Sequence, residues 1–277
     1  MLASFASRII RLWLRITGRR IDVAAHPWLD GPQGGSGYIG EEFFSEYAKA
    51  NGYETSQPTG AGLLDDFSKL SATPQPQLNP RVAHFYEHTA DYSLDVWSQW
   101  YYPWKPFAWL LIRIVSHEIN QLNIPLRPLD TSMGMSNNVI LLKKPGSTAQ
   151  ALACWLRKTN LKGKVVYSGF YAHTTVNGEE LVRVVFPLPK GNVTVLLHPV
   201  YLPDGSFQLV SNGKKFGRSG YYRVLGTGEG KVKVRLLPLH EVIHVYESLD
   251  GELRTDHVFS FWGLKMLKLH YRMRLKK

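Results

Sequence analysis

The chain has 277 residues, 44% of them hydrophobic, enough to build one large core or two small ones and too many for a disordered chain. Its 33 Lys and Arg against 22 Asp and Glu give a net charge of +11, and all eleven units sit in two acid-free ends: five arginines in residues 1–20 and six cations in residues 265–277. A balanced body with basic ends argues against a nucleic-acid-binding surface, the single cysteine excludes an intramolecular disulfide, and no run approaches the roughly 20 apolar residues of a spanning helix.

Residues 1–20 read as a basic amphipathic helix. At about 100° per residue, Leu2, Phe5, Ile9, Leu12, Trp13 and Ile16 share one arc, and Ser4, Arg8, Arg11, Arg15 and Arg19 the opposite one. Phe5, Arg8, Ile9, Arg11, Leu12, Trp13, Arg15 and Ile16 are the membrane-binding candidates: the apolar stripe suits the acyl boundary and the arginines suit lipid phosphates. The same helix could instead pack on its own domain or in a partner's groove. Arginines interspersed among the apolar residues do not make a secretory signal. The expected location is therefore cytoplasmic, at the inner face of the membrane.

Residues 21–78 read as linker and short helices. The glycine-rich segment 31–37 lacks the Lys-Ser/Thr ending of a phosphate-binding loop, Glu41–Ala50 reads as a helix, and Thr73-Pro74-Gln75-Pro76 breaks the chain. Residues 79–160 read as a helical region. Asn79 caps a helix with Pro80 at its first position, expected to run to about Tyr102, and a second helix is expected from Pro106 to Leu122. Seven aromatics fall between Trp97 and Trp109, a density suited to a boundary between apolar and wet surroundings. Cys154, between apolar neighbours, reads as a buried structural thiol.

From residue 161 the pattern is that of antiparallel strands packed with 79–160 as one globular unit. Val165–Val176 and Glu180–Phe186 flank Asn177-Gly178, Val193–Tyr201 and Phe207–Val210 flank Asp204-Gly205, and His240–Ser248 and Leu253–Phe261 flank Asp250-Gly251. From Leu267 to Lys276 apolar and basic residues alternate strictly, so the C-terminal cations share one face of a strand. The fold class expected is α+β, an N-terminal helical part followed by a C-terminal antiparallel sheet that is barrel-like or strongly curved.

Two patterns could carry chemistry. His240-Glu-Val-Ile-His244 has zinc-hydrolase spacing, but Pro238 and the β-branched neighbours favour a strand, on which the imidazoles would lie about 13 Å apart. His84, Glu87, His88, Asp91 and Asp95 form a polar stripe at helical spacing, the catalytic candidates of this chain; a solvated face accounts for the same spacing. His117-Glu118 could supply a facing pair, His173, His198 and His257 lie in expected strands, and Lys190 and Arg218 lie in expected loops. No metal site is assigned, and the sequence does not identify a cofactor.

The segments His84–Thr89 (HFYEHT), Leu94–Trp100 (LDVWSQW), Leu122–Thr131 (LNIPLRPLDT) and Phe216–Tyr222 (FGRSGYY) resemble a group of uncharacterised bacterial proteins, over about residues 60–275. The resemblance brings no activity or catalytic residue. Taken with the residue patterns, the expected function is a peripheral membrane or lipid-associated protein whose barrel-like half binds an apolar ligand. Its expected partners are an anionic membrane surface and an apolar small molecule, not nucleic acid. The alternative is a soluble enzyme acting on a hydrophobic substrate through the His/Asp/Glu stripe, in one version with a metal.

Overall fold

The structure, a computed structural model, describes residues 2–35, 39, 42–70, 78–112, 121, 123–126, 134–160, 163–228 and 230–276. Four α-helices lie in these residues: α1 Leu2–Thr17, α2 Phe43–Ala50, α3 Pro80–Glu87 and α4 Trp104–Leu111. The strands are β1 Arg19–Asp22, β2 Glu54–Ser56, β3 Tyr92–Trp100, β4 Asn138–Lys143, β5 Gln150–Lys158, β6 Val165–Val176 and β7 Glu179–Leu188. They continue with β8 Gly191–Tyr201, β9 Phe207–Val210, β10 Gly220–Gly228, β11 Lys231–Leu237, β12 Leu239–Glu247, β13 Leu253–Phe261 and β14 Leu264–Leu275.

One antiparallel sheet holds these strands, in the order β2-β4-β5-β6-β7-β8-β9-β12-β13-β14-β3. The β6–β7 hairpin turns on Asn177 and Gly178, both at positive φ, as two-residue hairpins of this hand require. β8 divides the sheet: its first half pairs with β10 and its second half with β9. The β10–β11–β1 branch carries α1. At the far end of the main path, Met135 makes single bridges to Leu94 on β3 and to Thr159 just beyond β5.

The core divides by face. The inward residues of β3 to β14 form the largest apolar cluster, which α3 and the 3₁₀ turn Phe67–Leu70 cover at one end. On the outer side of β4 to β7, α2 inserts Phe44 against Leu142, Cys154, Phe170 and Val185. Cys154 is buried there, and burial pushes its thiol pKa well above the ordinary value.

Three sequence expectations change. The helix from Asn79 ends at Glu87, although Asn79 caps it as expected by accepting from Arg81 N at 2.9 Å. A 3₁₀ turn Thr89–Asp91 follows, and Tyr92–Trp100 is a strand with Tyr92, Leu94, Val96 and Ser98 buried on its inward face. The physical reason is β14, whose edge pairs with β3 over its whole length; a segment with alternating polarity gains more from that ladder than from a solvated helix. Second, β3, β4 and β5 lie within the segment expected to be helical. β5 is buried on both faces, so its residues read as a continuous apolar run with no period. Third, α4 spans Trp104–Leu111, and the remainder of the second expected helix, to Leu122, lies mostly outside the described residues.

Candidate ligand cavity

The strand period places alternate side chains inside the curved sheet. On β12 these are Leu239, Glu241, Ile243 and Val245; on β14 they are Leu267, Leu269, Tyr271 and Met273. The inward side chains do not meet across the middle, and they enclose a cavity of about 870 Å³ with an almost wholly apolar lining. That volume lies in the upper part of the roughly 300–1,000 Å³ range of small-molecule sites.

One end is closed by an aromatic floor. Phe207 sits between Phe67, Tyr201 and Tyr86, with ring centroids at 4.8, 5.2 and 5.6 Å, and Tyr86 and Phe85 of α3 line the cavity above it. The other end is open. Ile10 and Trp13 of α1, Phe107 of α4 and Trp262 in the β13–β14 turn line the cavity and also face outward, Phe107 at 63% and Trp262 at 70% exposure. Trp104 packs edge-on to Phe261 at 5.2 Å, fixing α4 beside that turn. Tyr102, Trp109, Leu110 and Leu264 extend the exposed apolar rim. Part of the Trp97–Trp109 aromatic cluster, Trp100, Trp104 and Phe107, therefore lines the cavity.

Arg157 lies inside with 1% of its surface exposed. Its guanidinium stands over the rings of Tyr271, Trp155 and Tyr167 at 4.9, 5.1 and 5.5 Å, and it donates to the Tyr167 hydroxyl at 3.3 Å. Its other terminal nitrogen lies 3.9 Å from Met135 Sδ. Its Nε has no hydrogen-bond partner, and no carboxylate among the described residues forms an ion pair with it. A desolvated cation without a counter-charge costs several kcal/mol, which aromatic faces and phenols offset only in part.

The acid that lines the cavity, Glu241, is engaged elsewhere. His257 Nε2 lies 2.5 Å from its Oε2. Burial raises the pKa of Tyr167, Tyr171, Tyr221 and Tyr271, so these phenols stay neutral hydroxyls at physiological pH. A second cation, Arg223, donates to Asn192 O at 2.9 Å and to Val224 O. Burial pushes its pKa down to about 10, which leaves it charged near neutrality.

The sequence-derived candidates lie elsewhere in the fold. His84 and His88 do meet, their rings stacked at 4.4 Å, with His84 Nδ1 at 2.9 Å from the Tyr92 hydroxyl. Glu87 accepts from Phe67 N at 2.8 Å and Asp91 from Gly60 N at 3.0 Å, so each carboxylate anchors a loop. Asp95 is turned to β14, where it holds Arg272 at 2.8 Å and Arg274 at 3.0 Å. The five residues share no helical face, because the chain changes from helix to strand among them. No group of three His, Cys, Asp or Glu among the described residues could hold a metal ion. His240 and His244 sit on β12, a strand as expected, bonded to Ser211 O and Ser206 Oγ.

Of the membrane-binding candidates, Ile9, Leu12 and Ile16 point outward on α1 with Arg8 and Arg15. Arg235 stands over Trp13 at 5.2 Å and Leu14 is buried, so α1 is held on the β11 side and leaves Ile9, Leu12 and Ile16 of its apolar stripe exposed. The Phe5 side chain lies outside the described part. The C-terminal cations do form one strand face, and neighbouring acids meet them: Lys268 and His270 pair with Asp256 at 3.2 and 2.7 Å. His257 lies on β13, a strand the sequence predicts, and lines the cavity. Glu241 stands in the His240–His244 motif without the zinc role of that spacing, and Arg157 is signalled in the sequence only as an arginine among the apolar residues of β5.

Fold and cavity define a mostly antiparallel β protein with a few helices in its N-terminal part, built around a ligand-sized apolar hollow. The chain is similar to the "Uncharacterized membrane protein YndJ" of Bacillus subtilis strain 168, 29% identical over 241 residues, which cover 84% of this chain and 41% of that protein. It thus spans less than half the length of that relative. No family model matches the chain, and no solved structure matches it.

Proposed function

We propose that this chain is a peripheral membrane protein that holds a lipid-like ligand within a barrel-like sheet and acts at the inner face of a membrane. The observation that carries this reading is the 870 Å³ apolar cavity opening between exposed aromatic and aliphatic side chains. An apolar ligand leaving a bilayer would cross that rim without meeting water. The Met135 bridges to β3 and to the end of β5 support a barrel-like closure, and the exposed Ile9, Leu12 and Ile16 of α1 support surface attachment. A relative named a membrane protein is consistent with this location, and no helix among the described residues is long and apolar enough to cross a membrane.

The test fills the cavity. Ile243→Trp adds an indole to an inward position. Displacement of a fluorescent polyene fatty acid should weaken at least tenfold while the melting temperature holds or rises. Unchanged probe binding would refute the cavity as the ligand site.

A second, enzymatic reading rests on the Glu241–His257 pair, a carboxylate and imidazole 2.5 Å apart on the wall of the same cavity. It predicts a change in mass of a bound lipid over time in wild-type protein, abolished in Glu241→Gln; identical masses in both would remove it.

A further inference from the structure

Resting on the reading of the cavity as a ligand site, we propose that its occupant is an amphiphile with a small anionic headgroup, a carboxylate or phosphate monoester, seated headgroup-inward on Arg157. Arg157 is almost fully buried, lines the cavity and carries an Nε with no hydrogen-bond partner. An oxyanion at this place supplies the missing acceptor and the missing counter-charge together, in the forked geometry that a guanidinium favours. The Tyr167 hydroxyl already accepts from this guanidinium and stands ready to donate to the ligand's oxygens, and the Tyr271 ring packs against its face. Glu241 does not take this role, since His257 holds it.

Depth fixes the orientation. Tyr271 lies five residues along β14 from Met266, roughly 17 Å of strand below the mouth. Between the two levels the wall carries Leu239, Phe259 and Phe261, interrupted by the paired Glu241 and His257, and it leads to Trp104 and Phe107 at the rim. A headgroup on Arg157 therefore leaves its tail in the apolar part of the cavity, directed at the opening. A tail-first pose would place the charged group among exposed tryptophans and leave Arg157 unpaired.

The experiment uses the full chain after delipidation and measures calorimetric affinity for oleate, oleyl alcohol and oleoyl lysophosphatidate, with Arg157→Met and Arg157→Lys beside the wild type. Wild type is expected to bind one of the two anions roughly 10- to 100-fold tighter than the alcohol, and the preferred anion identifies the headgroup source. Arg157→Met should reduce the anion to the level of the alcohol without weakening the alcohol, and Arg157→Lys should recover part of the difference. Equal affinities for anions and alcohol in wild type overturn the proposal and leave the cavity reading standing. No binding of any of the three overturns the cavity reading itself. The wild-type comparison decides the matter even where Arg157→Met fails to fold.

Discussion

Replacing Ile9, Leu12 and Ile16 of α1 together by glutamine removes the apolar stripe while keeping residues of good helix propensity and all five arginines. These side chains are 52%, 59% and 74% exposed, slightly less than two whole side chains in sum. At roughly 1.5–3 kcal/mol for burying one such side chain, inserting the stripe into a membrane surface contributes about 3–5 kcal/mol, a factor of at least a hundred in partitioning. Each arginine adds at most about 1 kcal/mol on an anionic surface, and salt screens that part. Co-sedimentation with anionic vesicles should therefore fall about a hundredfold in the triple variant, and the remaining binding should vanish in high salt. Thermal stability should hold, because the replaced groups are exposed and belong to none of the apolar clusters among the described residues. A triple variant that partitions within about threefold of wild type would refute the reasoning and place attachment elsewhere.

Three further outcomes follow from the packing. Phe207→Ala empties a fully buried site between Phe67, Tyr86 and Tyr201 and should cost about 3–5 kcal/mol in denaturant unfolding; a loss below about 1 kcal/mol would mean that the floor is not packed as described. Asn137 donates to Thr89 O at 2.6 Å and to Tyr92 O at 2.8 Å and accepts from Trp155 Nε1, so Asn137→Ala should cost about 2–4 kcal/mol in the same assay. Burial holds the His244 pKa below its ordinary 6.5, so the unfolded chain takes up this proton first. Its contribution is complete above pH 6.5 and is lost as pH falls through the lower folded value. The stability gap between wild type and His244→Gln should accordingly shift against wild type between pH 7.5 and 5; a gap that moves the other way, or not at all, would contradict that assignment.

Local sequence determined much of this protein. The hairpins at Asn177-Gly178, Asp204-Gly205 and Asp250-Gly251 sit where turn chemistry put them, because positive φ is a property of a few residue types. The alternation of Leu267–Lys276 produced a strand with its cations outward, and the 3.6-residue period of residues 2–17 produced an amphipathic helix. What the sequence left open were segments compatible with two structures. Tyr92–Trp100 continues the helical spacing of His84 and His88 and also alternates with period two. A helix closes its hydrogen bonds locally, whereas β3 needed β14, more than 160 residues further along the chain. The cavity is a property of how many strands curve together and how far their inward side chains reach, and no local pattern encodes that. Arg157 and Glu241 thus became neighbours of a ligand-sized space only when the sheet bent around them; the sequence around Arg157 records little more than a charge in an apolar strand, and that around Glu241 a motif of different chemistry.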